Sequence, residues 1–298
     1  MHKTIATLLL LVTASALAAS QKARTTDSQN IPIATQALLE GVKSPESKGV
    51  IKSVLMIQCP RDAAKGTGFV LSGGGIITTN SHVVGSCNAE DLVGISAVSN
   101  EPVKFTQLER DPNRDLALLC PTKPLPFSLE LNGDERPPVE TDVETWGYPL
   151  RYNDRAPILS RGYVAGYRMN QKSLDSVPVS RIIVNGAFNP GNSGGPLINR
   201  DSHKLIGIVV EKWFLDSPNI ESVVYGLAHP GAQTVGGVPM YITDENGERK
   251  AVSQQIGTSK ALEELYKQSQ VMVGEAISVS ELNAFIAEKR QALGCSAR

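Results

Sequence analysis

The 298-residue chain lacks a surplus of charge of either sign: 29 Lys and Arg stand against 30 Asp and Glu, a formal net charge of −1. It also lacks any run of Lys and Arg. Without a positive field there is no long-range pull toward a phosphate backbone, so nucleic acid is not expected as a partner. Beyond the N-terminus no apolar stretch reaches the length of a bilayer-spanning helix. Cysteine is scarce: four residues, none forming a Cys-x-x-Cys pair, with His203 and His229 at no ligand spacing from them. That pattern argues against zinc, and nothing else in the chain calls for a metal or a cofactor. No internal repeat or low-complexity tract is present, which sets aside solenoids and disordered tails.

What is there begins with an export signal. Lys3 supplies the positive start, Ile5 through Val12 is almost wholly apolar, and Ala16-Leu17-Ala18 offers a small-x-small cleavage site. Residues 1–18 are therefore expected to be a signal peptide, and the mature protein to be periplasmic or secreted. No cysteine follows the cut, so no lipid or other membrane anchor is expected. Cys59, Cys87, Cys120 and Cys295 make an even set in an exported chain, which suggests two disulfides with three possible pairings.

Residues 19–48 read as a loose polar arm with one helical turn around Gln36 to Leu39. From Val50 onward, short β-branched runs such as GTGFVLS, DLALLC and LIGIVVEKW alternate with Gly, Pro, Asn and Asp. That rhythm indicates an all-β sandwich or barrel. Five prolines between Pro121 and Pro138 divide the strands into a first group, 49–128, and a second, 139–280. Asn246-Gly247 suits a hairpin turn, and Ala261, Leu262, Leu265 and Tyr266 have helical spacing within 258–268. A strand over 271–279 leads to a C-terminal helix in 281–298, with Ser278 and Glu281 as its capping box and Leu282, Phe285, Ile286 and Leu293 on one face.

Nucleophilic catalysis by serine needs a base, a buried acid to hold that base in one tautomer, and paired N–H donors for the oxyanion. Ser193 lies in NPGNSGGPL, where glycines at 191, 194 and 195 permit a tight turn. The donors there would be the N–H groups of Gly191 and of Ser193 itself. His82 follows a β-branched strand in GIITTNSHVV, and Asp115 opens DLALL. Each motif alone has an ordinary structural explanation; the order His, Asp, Ser with separations of 33 and 78 residues makes the set specific.

These motifs together, from about Lys65 to Val210, resemble the trypsin/chymotrypsin-like serine peptidases, nearest to the HtrA-type catalytic domain. The resemblance implies two perpendicular six-stranded antiparallel β-barrels with a C-terminal helix and a triad of His82, Asp115 and Ser193 in the cleft. It implies polypeptide substrates cleaved as by a serine endopeptidase. The segment 214–270 reads as an enlarged loop of the second barrel, although SVVYGLAHP is an alternative last strand. Asn192 stands where digestive trypsin-like enzymes carry the Asp that pairs with a new N-terminus, so that activation is not expected. Too few residues follow the helix for the PDZ domain that HtrA-type proteins usually carry. Ala187 aligns with the pocket floor, Phe188 follows it, and Val210, Glu211 and Lys212 align with the strand along which substrate runs. The family's cysteine positions and the packing of its last helix favour Cys59–Cys87 and Cys120–Cys295, with a single bridge or a buried Cys120 thiol left open. A catalytically silent barrel used for binding is the other reading. An α/β-hydrolase esterase is disfavoured by the residue order.

Overall fold

The computed structural model describes residues 31–71, 73–131, 136–150, 152, 154–212, 240–243, 249–253, 256–260, 262 and 272–295. The expected signal peptide, the Asn246-Gly247 turn and most of the helix expected over 258–268 lie outside them. The chain divides into two compact units, one of residues 1–211 with 273–298 and one of 212–272. In the second unit, strands β13 (Met240–Thr243) and β14 (Arg249–Val252) pair antiparallel.

Two helices open the described chain: α1 (Ile33–Gly41) and α2 (Pro45–Ser53). The arm expected to be loose is thus helical on both sides of Lys43. The start of α2 has a local cause. Ser44 accepts a hydrogen bond from the Ser47 N–H at 3.1 Å, Pro45 occupies the first helical position, and Glu46 and Lys52 complement the helix dipole at opposite ends. Val50 and Ile51 of α2 are buried in the core.

Seven strands follow: β1 (Val54–Cys59), β2 (Ala64–Val70), β3 (Ile77–Thr79), β4 (Val93–Ser96), β5 (Pro102–Val103), β6 (Phe105–Asp111) and β7 (Leu116–Pro121). They form an open sheet in the order β5-β4-β1-β2-β3-β7-β6. The next six strands in the first unit are β8 (Asp142–Gly147), β9 (Ile158–Asn170), β10 (Val179–Gly186), β11 (Pro196–Asn199), β12 (Leu205–Lys212) and, last in the chain, β15 (Val273–Ser278). They close into a barrel in the order β10-β15-β12-β11-β8-β9. The expectation of two six-stranded barrels is therefore corrected: the first sheet has seven strands and stays open, and only the second closes. The physical reason lies in β5 and β6. These strands stand at opposite ends of the sheet order, separated in sequence by Lys104 alone. The two-residue β5 starts at a proline with no N–H to donate, so it offers no ladder to close the sheet.

Alternation explains why β1 and β7 look apolar throughout. Leu55 and Ile57 point into the core of the first sheet, whereas Val54 and Met56 join a second cluster on the other face. Likewise Ala117 and Leu119 face inward, and Leu116 and Leu118 face the second cluster. That cluster also takes Ile51 of α2 and Leu282 and Phe285 of the last helix, α3 (Val279–Lys289). Burying each such side chain stabilises the fold by about 1.5–3 kcal/mol. No helix among the described residues is long and apolar enough to cross a membrane.

Candidate active site

His82 lies in a four-residue helical turn, Ser81–Val84, that begins where β3 ends. The turn is fixed from several sides. Cys59 and Cys87 are joined by a disulfide. The Asp62 carboxylate accepts from the Ser86 N–H and, at 2.6 Å, from its hydroxyl, and these two bonds hold the Asp62 carboxyl below its usual range. The Arg110 guanidinium donates to the carbonyls of Gly85 and Cys87. Arg110 and Asp62 so fix the loop carrying His82 from β6 and from the turn after β1.

Asp115 ends the turn between β6 and β7. The turn is built on Asp111, which accepts from the N–H groups of Asn113 at 2.9 Å and Arg114 at 3.0 Å. Arg114 then binds the carboxylates of Asp111, Glu281 and Glu288 at 2.6, 3.2 and 2.7 Å, tying the turn to α3. Its guanidinium is pushed further up, chiefly by the Glu288 hydrogen bond. The Glu281 carboxylate also accepts from the Ser180 N–H at 2.9 Å, so it serves β10 and the Asp115 turn. From this base Asp115 accepts two hydrogen bonds from His82: the backbone N–H at 3.0 Å and ring Nδ1 at 2.8 Å. The Asp115 side chain is 14% exposed and that of His82 48%, an inner acid beneath an outer imidazole.

Ser193 is 8% exposed at the end of the loop before β11. The loop is pinned by its carbonyls. Pro190 accepts from the Leu150 N–H at 2.8 Å, Asn192 from the Gly195 N–H at 2.9 Å, and Ser193 from the Thr67 N–H at 2.8 Å. The Gly191 carbonyl accepts from the Thr67 hydroxyl at 2.7 Å. The Asn192 N–H donates to Asn189 O at 3.0 Å and the Gly194 N–H to Val209 O at 2.8 Å. Among the described residues, the N–H groups of Gly191 and Ser193 have no acceptor, and no hydrogen bond joins the Ser193 hydroxyl to the His82 ring. Close approach brings the two halves together at β2: a Cβ on Gly66 would lie 2.5 Å from the side chain of Val83 and 3.1 Å from Ser193 O.

The remaining sequence candidates divide. Ala187 is half-buried at the end of β10. Phe188 is 2% exposed, and its ring occupies the barrel core, where a Cβ on Gly274 would meet it at 2.4 Å. Val210 is buried in the cluster shared with α3, one residue after Val209, which exchanges hydrogen bonds with Gly194 and Gly195. Glu211 and Lys212 have described backbone in β12, but their side chains lie outside the described residues. Asn192 is buried beside Gly147 with its Oδ1 unbonded. Cys120 and Cys295 form the second disulfide. Two residues escaped the sequence reading. Lys65 donates to the carbonyls of Pro149, Leu150 and Tyr152 at 3.3, 3.5 and 2.5 Å, and burial pushes its ammonium down. Thr67 joins four segments. Neither carries a local signal, because the partners of the Lys65 ammonium and of the Thr67 hydroxyl lie more than 80 positions away.

The open sheet thus carries the His82–Asp115 pair, and the closed barrel carries the glycine-bounded Ser193. Residues 66–208 match the trypsin-like peptidase domain family. Relatives include a probable periplasmic serine endoprotease, DegP-like, of Chlamydia muridarum, 34% identical over 156 residues that cover 50% of this chain and 28% of that protein. The serine protease HTRA3 of Rattus norvegicus is 30% identical over 151 residues, 49% of this chain and 32% of its own. The chain thus spans about a third or less of the length of these relatives. Among solved structures, the Rv3671c protease from M. tuberculosis in its active form aligns over 87% of both chains with a TM-score of 0.56, at 18% identity, which is a likeness of fold.

Proposed function

We propose that the chain is a serine endopeptidase acting through an acyl-enzyme. The observation that carries this reading is the double hydrogen bond from His82 to Asp115, which fixes the ring with Nδ1 toward the acid and leaves Nε2 free. In the first step Ser193 Oγ attacks the scissile carbonyl while its proton passes to His82 Nε2. Asp115 stabilises the imidazolium, and the oxyanion takes the N–H groups of Gly191 and Ser193. Collapse breaks the C–N bond as His82 returns the proton to the leaving amine. Water then attacks the ester by the same route, releasing the acid and restoring Ser193.

Cleavage after small or medium uncharged residues is the proposed preference, because residues 186–194 contain no ionisable group around Ala187. Burying a Lys or Arg without a partner would cost on the order of 3–5 kcal/mol. Ser193→Ala tests the assignment with fluorophosphonate labelling and peptide-library cleavage. Labelling should vanish and turnover fall on the order of 10⁵-fold, with melting unchanged, since that hydroxyl has no hydrogen-bond partner among the described residues. Unaltered turnover in the variant, or a wild-type protein that binds library peptides without cutting them, would favour the binding barrel. A strong Arg or Lys preference would overturn the pocket reading.

Export to the periplasm or beyond is supported by the leader-like N-terminus, by two disulfides and by relatives described as periplasmic. N-terminal sequencing of the mature protein should begin at Ala19; a retained Met1 in the exported fraction would contradict it.

A further inference from the structure

We propose that Thr67 is a positioning residue that orients the anion-binding donors of the nucleophile loop, a reading that rests on the peptidase assignment of Ser193. In a trans peptide the C=O and N–H point in opposite directions, and no peptide among the described residues is cis. The Pro190 carbonyl is held by Leu150, which turns the Gly191 N–H the other way. The Asn192 carbonyl is held by Gly195, which does the same for the Ser193 N–H. Between these two peptide planes lies the Gly191–Asn192 plane, and the Thr67 hydroxyl holds its carbonyl at 2.7 Å.

Within the loop that plane has one hold, the Asn192 N–H on Asn189 O at 3.0 Å, and its carbonyl needs an external anchor. Gly191 has φ +97°, and a Cβ there would lie 2.4 Å from Tyr148 O, so the position requires glycine. Glycine has no side chain to resist rotation of its own peptide. No charge supplies the order either, because Asn192 is neutral. Thr67 is fully buried, and its hydroxyl is satisfied on both sides: it donates to Gly191 O and accepts the Tyr148 N–H at 3.0 Å. Tyr148 opens the segment whose Leu150 N–H orients Pro190, so one hydroxyl reaches the loop directly and through its neighbour. The backbone of Thr67 extends the same junction: its N–H holds Ser193 O, and its carbonyl accepts from the Thr79 hydroxyl at 2.6 Å, three residues before His82.

The test compares Thr67→Val, which keeps shape and removes the hydroxyl, with Thr67→Ser, which keeps the hydroxyl. Thr67→Val should lower kcat about 30- to 100-fold, somewhat less than deleting one oxyanion donor, with KM within about threefold; Thr67→Ser should stay within about threefold of wild type. Affinity for a peptide boronate, which places a tetrahedral oxygen on the donors, should fall in step with kcat, while affinity for a cleaved product peptide holds. Hydrogen exchange provides a readout independent of turnover. Amides of 148–152 and 189–195 should exchange faster in Thr67→Val and not in Thr67→Ser. If Thr67→Val does not fold, Thr67→Ala removes the hydroxyl without crowding and repeats the comparison. Wild-type kcat in the hydroxyl-free variant, equal impairment in Thr67→Ser, or faster exchange spread through both sheets would overturn the proposal. A wild-type protein that fails to label with fluorophosphonate, with exchange still following Thr67, would instead defeat the peptidase reading.

Discussion

Asp115 has φ +61°, a left-handed backbone that non-glycine residues adopt at some cost and that Asp and Asn tolerate best. The cost is offset locally: its carbonyl accepts from the Ser81 N–H at 3.2 Å and Asn80 Nδ2 at 3.0 Å, and its carboxylate takes both His82 donors. The same backbone makes Asp115→Asn a clean test. Asparagine keeps the conformation but presents an amide that favours the wrong imidazole tautomer, so kcat should fall about 10⁴-fold with melting nearly unchanged. A loss smaller than tenfold would remove Asp115 from its role. At this scale the sequence points to His82, Asp115 and Ser193 because each stands in a motif with its own local logic. It hides Thr67 and the core placement of Phe188 because these depend on distant partners. Thr67 works through Gly191, 124 positions on, and Phe188 enters the barrel core where Gly274 leaves room.

Among elements, legibility follows length and punctuation. The β1, β7 and β12 runs are long and apolar enough to be seen, whereas the two-residue β5 leaves no period to detect, and with it the seventh strand is lost. Ser44-Pro45-Glu46 is a readable helix start, yet the polar composition of the arm outweighs it in a reading by hydrophobic pattern. Helix α3 was legible by its face, although Glu281 serves Ser180 and Arg114. Its docking is completed by Lys289 on Glu109 at 3.0 Å and by the Cys120–Cys295 bridge. The two disulfides close loops of very different size, 28 and 175 residues. In the chain-entropy account these constrain the unfolded chain by about 3.5 and about 5 kcal/mol. Replacing both Cys120 and Cys295 by alanine should therefore lower Tm more than replacing Cys59 and Cys87. The opposite ranking in calorimetry would show that loop length does not govern their effect.

For the whole molecule, the order of strands matters more than their number. In the barrel that carries Ser193, β15 sits between β10 and β12, yet it follows β12 only after residues 213–272, which together with Lys212 cluster as a unit of their own. Until Val273–Ser278 are in place, β10 and β12 each present an open edge, and the nucleophile loop, hydrogen-bonded to Val209 of β12, rests on an unfinished wall. Pairings across so much sequence form late. The His82–Asp115 half has all its strands by residue 121, although the Asp115 turn still waits for its Arg114 contacts to α3. Under the proposed peptidase reading the strand order works as a delay: a chain still being synthesised has the strands that carry His82 and Asp115, while the wall behind Ser193 waits for the last strand to arrive.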